Sequence, residues 1–144
     1  MNCNPGAHPD PANVRLTSAR IRNGGHEDVL REFSEKAIPC TDTESRALFV
    51  QMGRDAGPEL FARQSDAALT RQDHWGTLPS LSMPTLLIWG AADGFVPAEI
   101  GKQMAHALPD ARLEVLPGCG HFPSIERPDE TTILARKWLQ QRFL

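Results

Sequence analysis

The chain has 144 residues, with 15 Lys and Arg against 18 Asp and Glu and a net charge of −3. That length supports one domain with a core of its own. No basic face stands out, so neither nucleic acid nor an anionic membrane surface is expected as a partner. Cys3, Cys40 and Cys119 show no metal-like spacing and no Cys-x-x-Cys pair, which points to reduced thiols in a cytoplasmic protein. The opening MNCNPGAHPDP is polar and proline-rich. It lacks the apolar centre of a signal peptide, and no run approaches the roughly 18 apolar residues of a membrane span.

Residues 1 to 11 read as loop, broken by Pro5, Gly6, Pro9 and Pro11. Residues 12–23 form the first predicted helix, ended by Gly24 and Gly25. The stretch from 26 to 37 puts Val29, Leu30, Phe33 and Ala37 on one face, and Pro39 stops it. Thr41 and Glu44 have the spacing of a capping box, with Leu48, Phe49 and Met52 next as a buried stripe. Pro58 opens another helix, continued by Leu60, Phe61, Ala67 and Ala68 to about Arg71. Residues 73–84 read as a linker rich in Gly, Pro and Ser.

The texture then changes. Thr85-Leu86-Leu87-Ile88-Trp89 is continuously apolar and ends at Gly90, the mark of a parallel strand buried on both faces. Pro97 opens a helix with Ile100, Met104 and Leu108 four apart. Residues 112–116 form a second strand. Pro128 opens the last helix, with Asp129 and Glu130 at its positive end and Ile133, Leu134 and Trp138 on its core side. Residues 84–143 therefore read as strand, helix, strand, helix, with a right-handed crossover. The fold class is α/β, and there is no internal repeat.

Parallel α/β sheets bind ligands outside the carboxyl ends of their strands. Asp93 lies just past the first strand and His121 just past the second, one strand-helix-strand unit apart. On neighbouring strands the carboxylate can accept a hydrogen bond from one imidazole nitrogen and leave the other as a base. Spacing alone leaves the plain alternatives open: a loop-capping aspartate and a turn histidine.

Gly90-Ala91-Ala92-Asp93 with Val96-Pro97, and Leu116-Pro117-Gly118-Cys119-Gly120-His121-Phe122-Pro123 with Glu126-Arg127-Pro128, resemble the C-terminal segment of the alpha/beta-hydrolase family. The stretches RLTSARIRNGG, QMGRDAGPELFARQ and RQDHWGTLPSLSMPT are similar to the helical cap of its lactonase- and esterase-like members. The resemblance implies a cap over residues 1–80 and a βαβα core segment over 81–144. It places Asp93 at the family's acid position and His121 at its histidine position. It also implies a missing front half, because Met1 to Ala7 resembles the family's segment between the last strand before the cap and the cap itself.

The family's nucleophile sits on a G-x-S-x-G turn ahead of the acid and the histidine. None of Ser18, Ser34, Ser45, Ser65, Ser80, Ser82 and Ser124 has that setting, and no HGGG-type motif occurs. Gly53-Arg54-Asp55-Ala56-Gly57 fits G-x-D-x-G, the form of dehalogenase-like relatives, but the run before it is helical and Gly57-Pro58 already explains a helix break. Cys119, between glycines, fits a small residue in a tight loop better than a nucleophile. Glu126 falls where the family pattern has an acid near the histidine loop. Trp89 and His74 are candidates to line a substrate pocket, with core packing as the alternative for Trp89. His8, His26 and His106 share no metal spacing with the others.

The expected function is ester or lactone hydrolysis on a small-molecule substrate, with Asp93 orienting His121 and the nucleophile absent from this chain. No metal or organic cofactor is implied. The alternatives are an inert fragment or a subunit that pairs through an exposed sheet edge, and, more remotely, a dehalogenase-like enzyme using Asp55.

Overall fold

The computed structural model describes residues 4–8, 10–39 and 41–143. Cys3 and Cys40 lie outside the described residues. The first helix, α1 (Pro11–Arg20), starts with proline at its first turn and Asp10 as cap, whose carboxylate accepts from the Asn13 N–H at 3.0 Å. The expected stop at Gly24 and Gly25 is instead a π-helical turn, Ile21–Gly25, that leads directly into α2 (His26–Ala37). Gly24 takes φ +91°, which costs a residue without Cβ little. The chain bends there rather than ending, and Ile21 is carried into the core beside Val29.

Helix α3 (Thr43–Ala56) is capped by Asp42, not by a Thr41–Glu44 box: the Asp42 carboxylate accepts from the Ser45 N–H at 3.0 Å. Its packed row is Ser45, Phe49 and Gly53, while Met52 of the expected stripe is 52 % exposed. Close approach decides this. A Cβ on Gly53 would lie 2.2 Å from Leu30 Cδ2, so α2 reaches α3 only across its small residues. Gly57, at φ +79°, turns the chain into α4 (Pro58–Ala67), whose buried Ala62 closes a small core with Ile21, Val29, Phe33 and Phe61.

Strand β1 (Thr85–Gly90) and strand β2 (Ala111–Leu116) pair in parallel, in register from Thr85 opposite Ala111 to Gly90 opposite Leu116. Helix α5 (Ala98–Ala107) makes the crossover and buries Met104 against the sheet. Leu78, Trp89, Val96, Met104 and Leu108 form the larger core. The stretch read as a linker contains a 3-10 helix, Trp75–Ser80, and Trp75, Leu78 and Leu81 pack on this core rather than on the helices before them. Burying their apolar surface is reason enough for the order there.

A one-turn helix, α6 (Pro123–Glu126), and the long α7 (Pro128–Phe143) complete the chain. Two sequence expectations hold only in part in this region, where Leu134 and Trp138 are half-buried. Only Trp89 and Gly90 of β1 are buried, and no residue of α7 is: Ile133 is 51 % exposed. Among the described residues the sheet has two strands, too few to cover both faces of β1 or the length of α7. The edge of β1 away from β2 carries no partner strand among them. No helix of the described residues is long and apolar enough to cross a membrane.

Candidate active site

The matched register of β1 and β2 sets their carboxyl ends level, and each strand leads into a polar loop. The loops are held close. The Ala91 N–H donates to the Leu116 carbonyl at 3.0 Å and the Ala92 N–H to the Cys119 carbonyl at 2.8 Å. A Cβ on Gly90 would stand 1.9 Å from the Gly120 carbonyl oxygen, so only glycine fits there. Asp93 and His121 therefore meet: Asp93 Oδ2 lies 2.7 Å from His121 Nδ1, with the two side chains 5 % and 10 % exposed.

Each partner is held in place. Asp93 Oδ1 accepts from the Phe95 and Val96 N–H groups at 2.8 and 2.9 Å. Burial alone would raise the Asp93 carboxyl. Its hydrogen bonds to His121, Val96 and Phe95, with the attraction of the imidazole, outweigh that and hold it below its usual 3.8. The buried Glu126 carboxylate accepts from Gly120 N–H at 2.7 Å and Phe122 N–H at 2.9 Å, clamping the loop on both sides of His121. The His121 N–H donates to the Ala37 carbonyl at 2.7 Å, which ties the loop to the end of α2. The imidazole packs edge-on against Phe95 and Phe122, at 5.3 and 4.9 Å.

With Nδ1 occupied by a carboxylate, Nε2 is the nitrogen free to exchange a proton with a bound group. His121 borders two cavities. One, of about 200 Å³, is shared with Asp93, Trp89 and Ser124. The other, of about 560 Å³, opens among α1, α2 and α4. Trp89 is at once core and cavity wall: it is buried, and its Nε1 donates to the Val96 carbonyl at 2.8 Å.

Other expected residues fall elsewhere. His74 is exposed and lines neither cavity. Asp55 sits exposed in the last turns of α3, accepting from Gln51 Nε2 at 2.8 Å. No strand leads into it, so Gly53–Gly57 is the end of a helix and not a nucleophile turn. Cys119 is buried, and burial above all, with the nearby Glu126 carboxylate, pushes its thiol up to about 12. It is a packed thiol rather than a reactive one. His26 is a core histidine against Phe61. Among the described residues no cluster of three or more His, Cys, Asp or Glu could hold a metal ion.

The larger cavity was not foreseen. Phe33 and Phe61 read as core stripe and Arg71 as a helix end, and no local pattern marks residues gathered from separate helices.

A parallel βαβα unit carrying a buried carboxylate–imidazole pair at its strand ends is an arrangement suited to hydrolysis. The model of the alpha/beta hydrolase fold matches residues 24–128, and the chain belongs to that family. A 2-hydroxy-6-oxononadienedioate/2-hydroxy-6-oxononatrienedioate hydrolase of a Pseudomonas species is 38% identical over 79 residues, 55% of this chain and 28% of that protein. A 2-hydroxy-6-oxo-6-phenylhexa-2,4-dienoate hydrolase of Comamonas testosteroni is 38% identical over 76 residues, 53% of this chain and 27% of that protein. Among solved structures, a thermophilic esterase from Thermogutta terrifontis superposes with a TM-score of 0.86 at 29% identity, over 94% of this chain and 52% of that one. The enol-lactonase from Burkholderia xenovorans shares the fold, with a TM-score of 0.77 at 22% identity, over 90% of this chain and 51% of that one. The chain thus spans about half the length of these solved relatives and less of the curated ones.

Proposed function

We propose that this chain supplies the acid–histidine half of a cytoplasmic hydrolase acting on a carboxylic ester or lactone. One observation carries the reading: Asp93 Oδ2 at 2.7 Å from His121 Nδ1, buried at the strand ends and beside a cavity. Asp93 fixes the tautomer and stabilises the imidazolium. His121 Nε2 takes the proton of an attacking hydroxyl, and the carbonyl carbon gains a bond to that oxygen. The proton then passes to the leaving alkoxide as the acyl–oxygen bond breaks. Water repeats the sequence and releases the acid. Residues 1–80 act as the cap over the substrate and residues 81–144 as the core segment. The hydroxyl itself is not on a G-x-S-x-G turn of these 144 residues.

The test is reconstitution. The chain is assayed with 4-nitrophenyl butyrate, a γ-lactone and a 2-hydroxy-6-oxo dienoate, alone and with an added segment bearing a G-x-S-x-G turn. We expect hydrolysis only with the added segment, and a fall on the order of a thousandfold or more in His121→Ala. Hydrolysis that survives His121→Ala refutes the proposal.

The edge of β1, which has no partner strand among the described residues, favours a second reading, a subunit that pairs through its sheet without turnover. That reading expects a chain silent in every assay and well behaved only with its partner.

A further inference from the structure

We propose that Arg71 anchors the carboxylate of an organic acid with an aromatic or similarly apolar body, held in the larger cavity beside His121. This rests on the cavity being the substrate site and names the class of substrate it takes.

The argument starts from an unmet need. Arg71 Nε and Nη2 are buried and have no hydrogen-bond partner, and no ion pair is formed by Arg71 among the described residues. A guanidinium is a permanent cation with five donors, and burying such donors unmatched is unfavourable unless something else satisfies them. Arg71 lies on the wall of the cavity of about 560 Å³ that His121 also borders. That volume falls within the range of small-molecule sites.

The other charges on the same wall are engaged. Arg20 and Glu32 satisfy each other through two bonds, at 2.9 and 2.8 Å. Asp10 caps α1. Lys36 lies over the Phe95 ring, 4.9 Å from its centroid. Among the described residues on this wall, Arg71 is the cation left with its planar donor fork unmatched, and that fork fits a carboxylate through two parallel bonds.

The rest of the wall describes the body of the ligand. Phe33, Phe49, Phe61, Phe95 and Phe122 line the cavity, five of the six phenylalanines in the chain. They offer ring faces and edges to an aryl or extended apolar group. An acid held in this way has a charged end on Arg71 and an apolar body among the rings, within the cavity that also reaches His121.

The experiment is a calorimetric titration of the 144-residue chain with 4-phenylbutanoate and with its neutral counterpart, 4-phenylbutanamide. The acid is expected to bind about tenfold to a hundredfold tighter than the amide. Arg71→Gln should bring the two within about twofold, with most of the loss falling on the acid. Arg71→Lys, which keeps the charge without the fork, should retain part of the preference, and circular dichroism checks that both variants keep their helices. Equal binding of acid and amide by the parent chain overturns the proposal. A preference that survives Arg71→Gln also overturns it, by placing the anion on Lys36 or Arg20. Because binding needs no nucleophile, failed hydrolysis and a failed anion preference are separate results.

Discussion

At the scale of single residues, Asp93 governs the site. Its carboxyl is held below 3.8 in the folded chain, where its hydrogen bonds prevail over burial. A group with a lowered folded pKa adds stability that is fully present above the unfolded value and is lost as the pH falls through the folded one. The urea midpoint should therefore drop below about pH 3.8, and Asp93→Asn should remove that part of the acid limb. In the reconstituted hydrolase the same variant leaves His121 without its carboxylate. Turnover should fall by roughly a hundredfold to ten-thousandfold, read from initial rates. Cys119 makes the opposite point. With its thiol near 12, only about one part in ten thousand is thiolate at pH 8. Peptide mass spectrometry should show iodoacetamide labelling Cys119 at least about a hundredfold more slowly in the folded chain than in urea; equal rates would mean the loop is open.

Among elements, glycine marks where two pieces of backbone must nearly touch. At Gly90 an added Cβ meets the Gly120 and Cys119 carbonyl oxygens at 1.9 and 2.4 Å, and neither is a flexible side chain. Gly90→Ala should pry apart the loops that carry Asp93 and His121 and cost about 3 kcal/mol or more, seen as a lower urea midpoint. At Gly53 the Cβ meets Leu30 Cδ2 at 2.2 Å, the end of a side chain that is itself fully buried. Gly53→Ala should cost less, about 1–3 kcal/mol, because Leu30 can shift rotamer. A Gly53→Ala chain as stable as the parent would show that α2 and α3 are not tightly packed.

For the whole molecule, what matters is surface that the chain does not cover. Among the described residues no strand pairs with the edge of β1 away from β2, and such an edge offers backbone N–H and C=O groups for pairing. Met83, Ile133, Leu139 and Phe143 leave apolar area in solvent. Both features favour association. Sedimentation velocity across a wide concentration range should show a rising sedimentation coefficient for the isolated chain, and a segment that pairs with β1 should reverse it. A strictly monomeric chain at high concentration would count against an open edge.

The sequence by itself determined what depends on neighbours in the chain. Helices started where Pro58 and Pro128 put them, the apolar run ending at Gly90 became a strand, and the two loop motifs pointed to Asp93 and His121 before any contact was known. Its errors came where distant parts meet. The Gly24–Gly25 stop became a bend because Ile21 and Val29 share one core, and Leu48 and Met52 of the α3 stripe turned outward because Leu30 of α2 packs directly on Gly53. Only the tertiary structure gathered Arg71 and five phenylalanines, from helices and loops, onto the wall of one cavity that His121 borders. Local propensity and periodicity act over a few residues, whereas a cavity is made by side chains whose separation in the sequence says nothing of their separation in space.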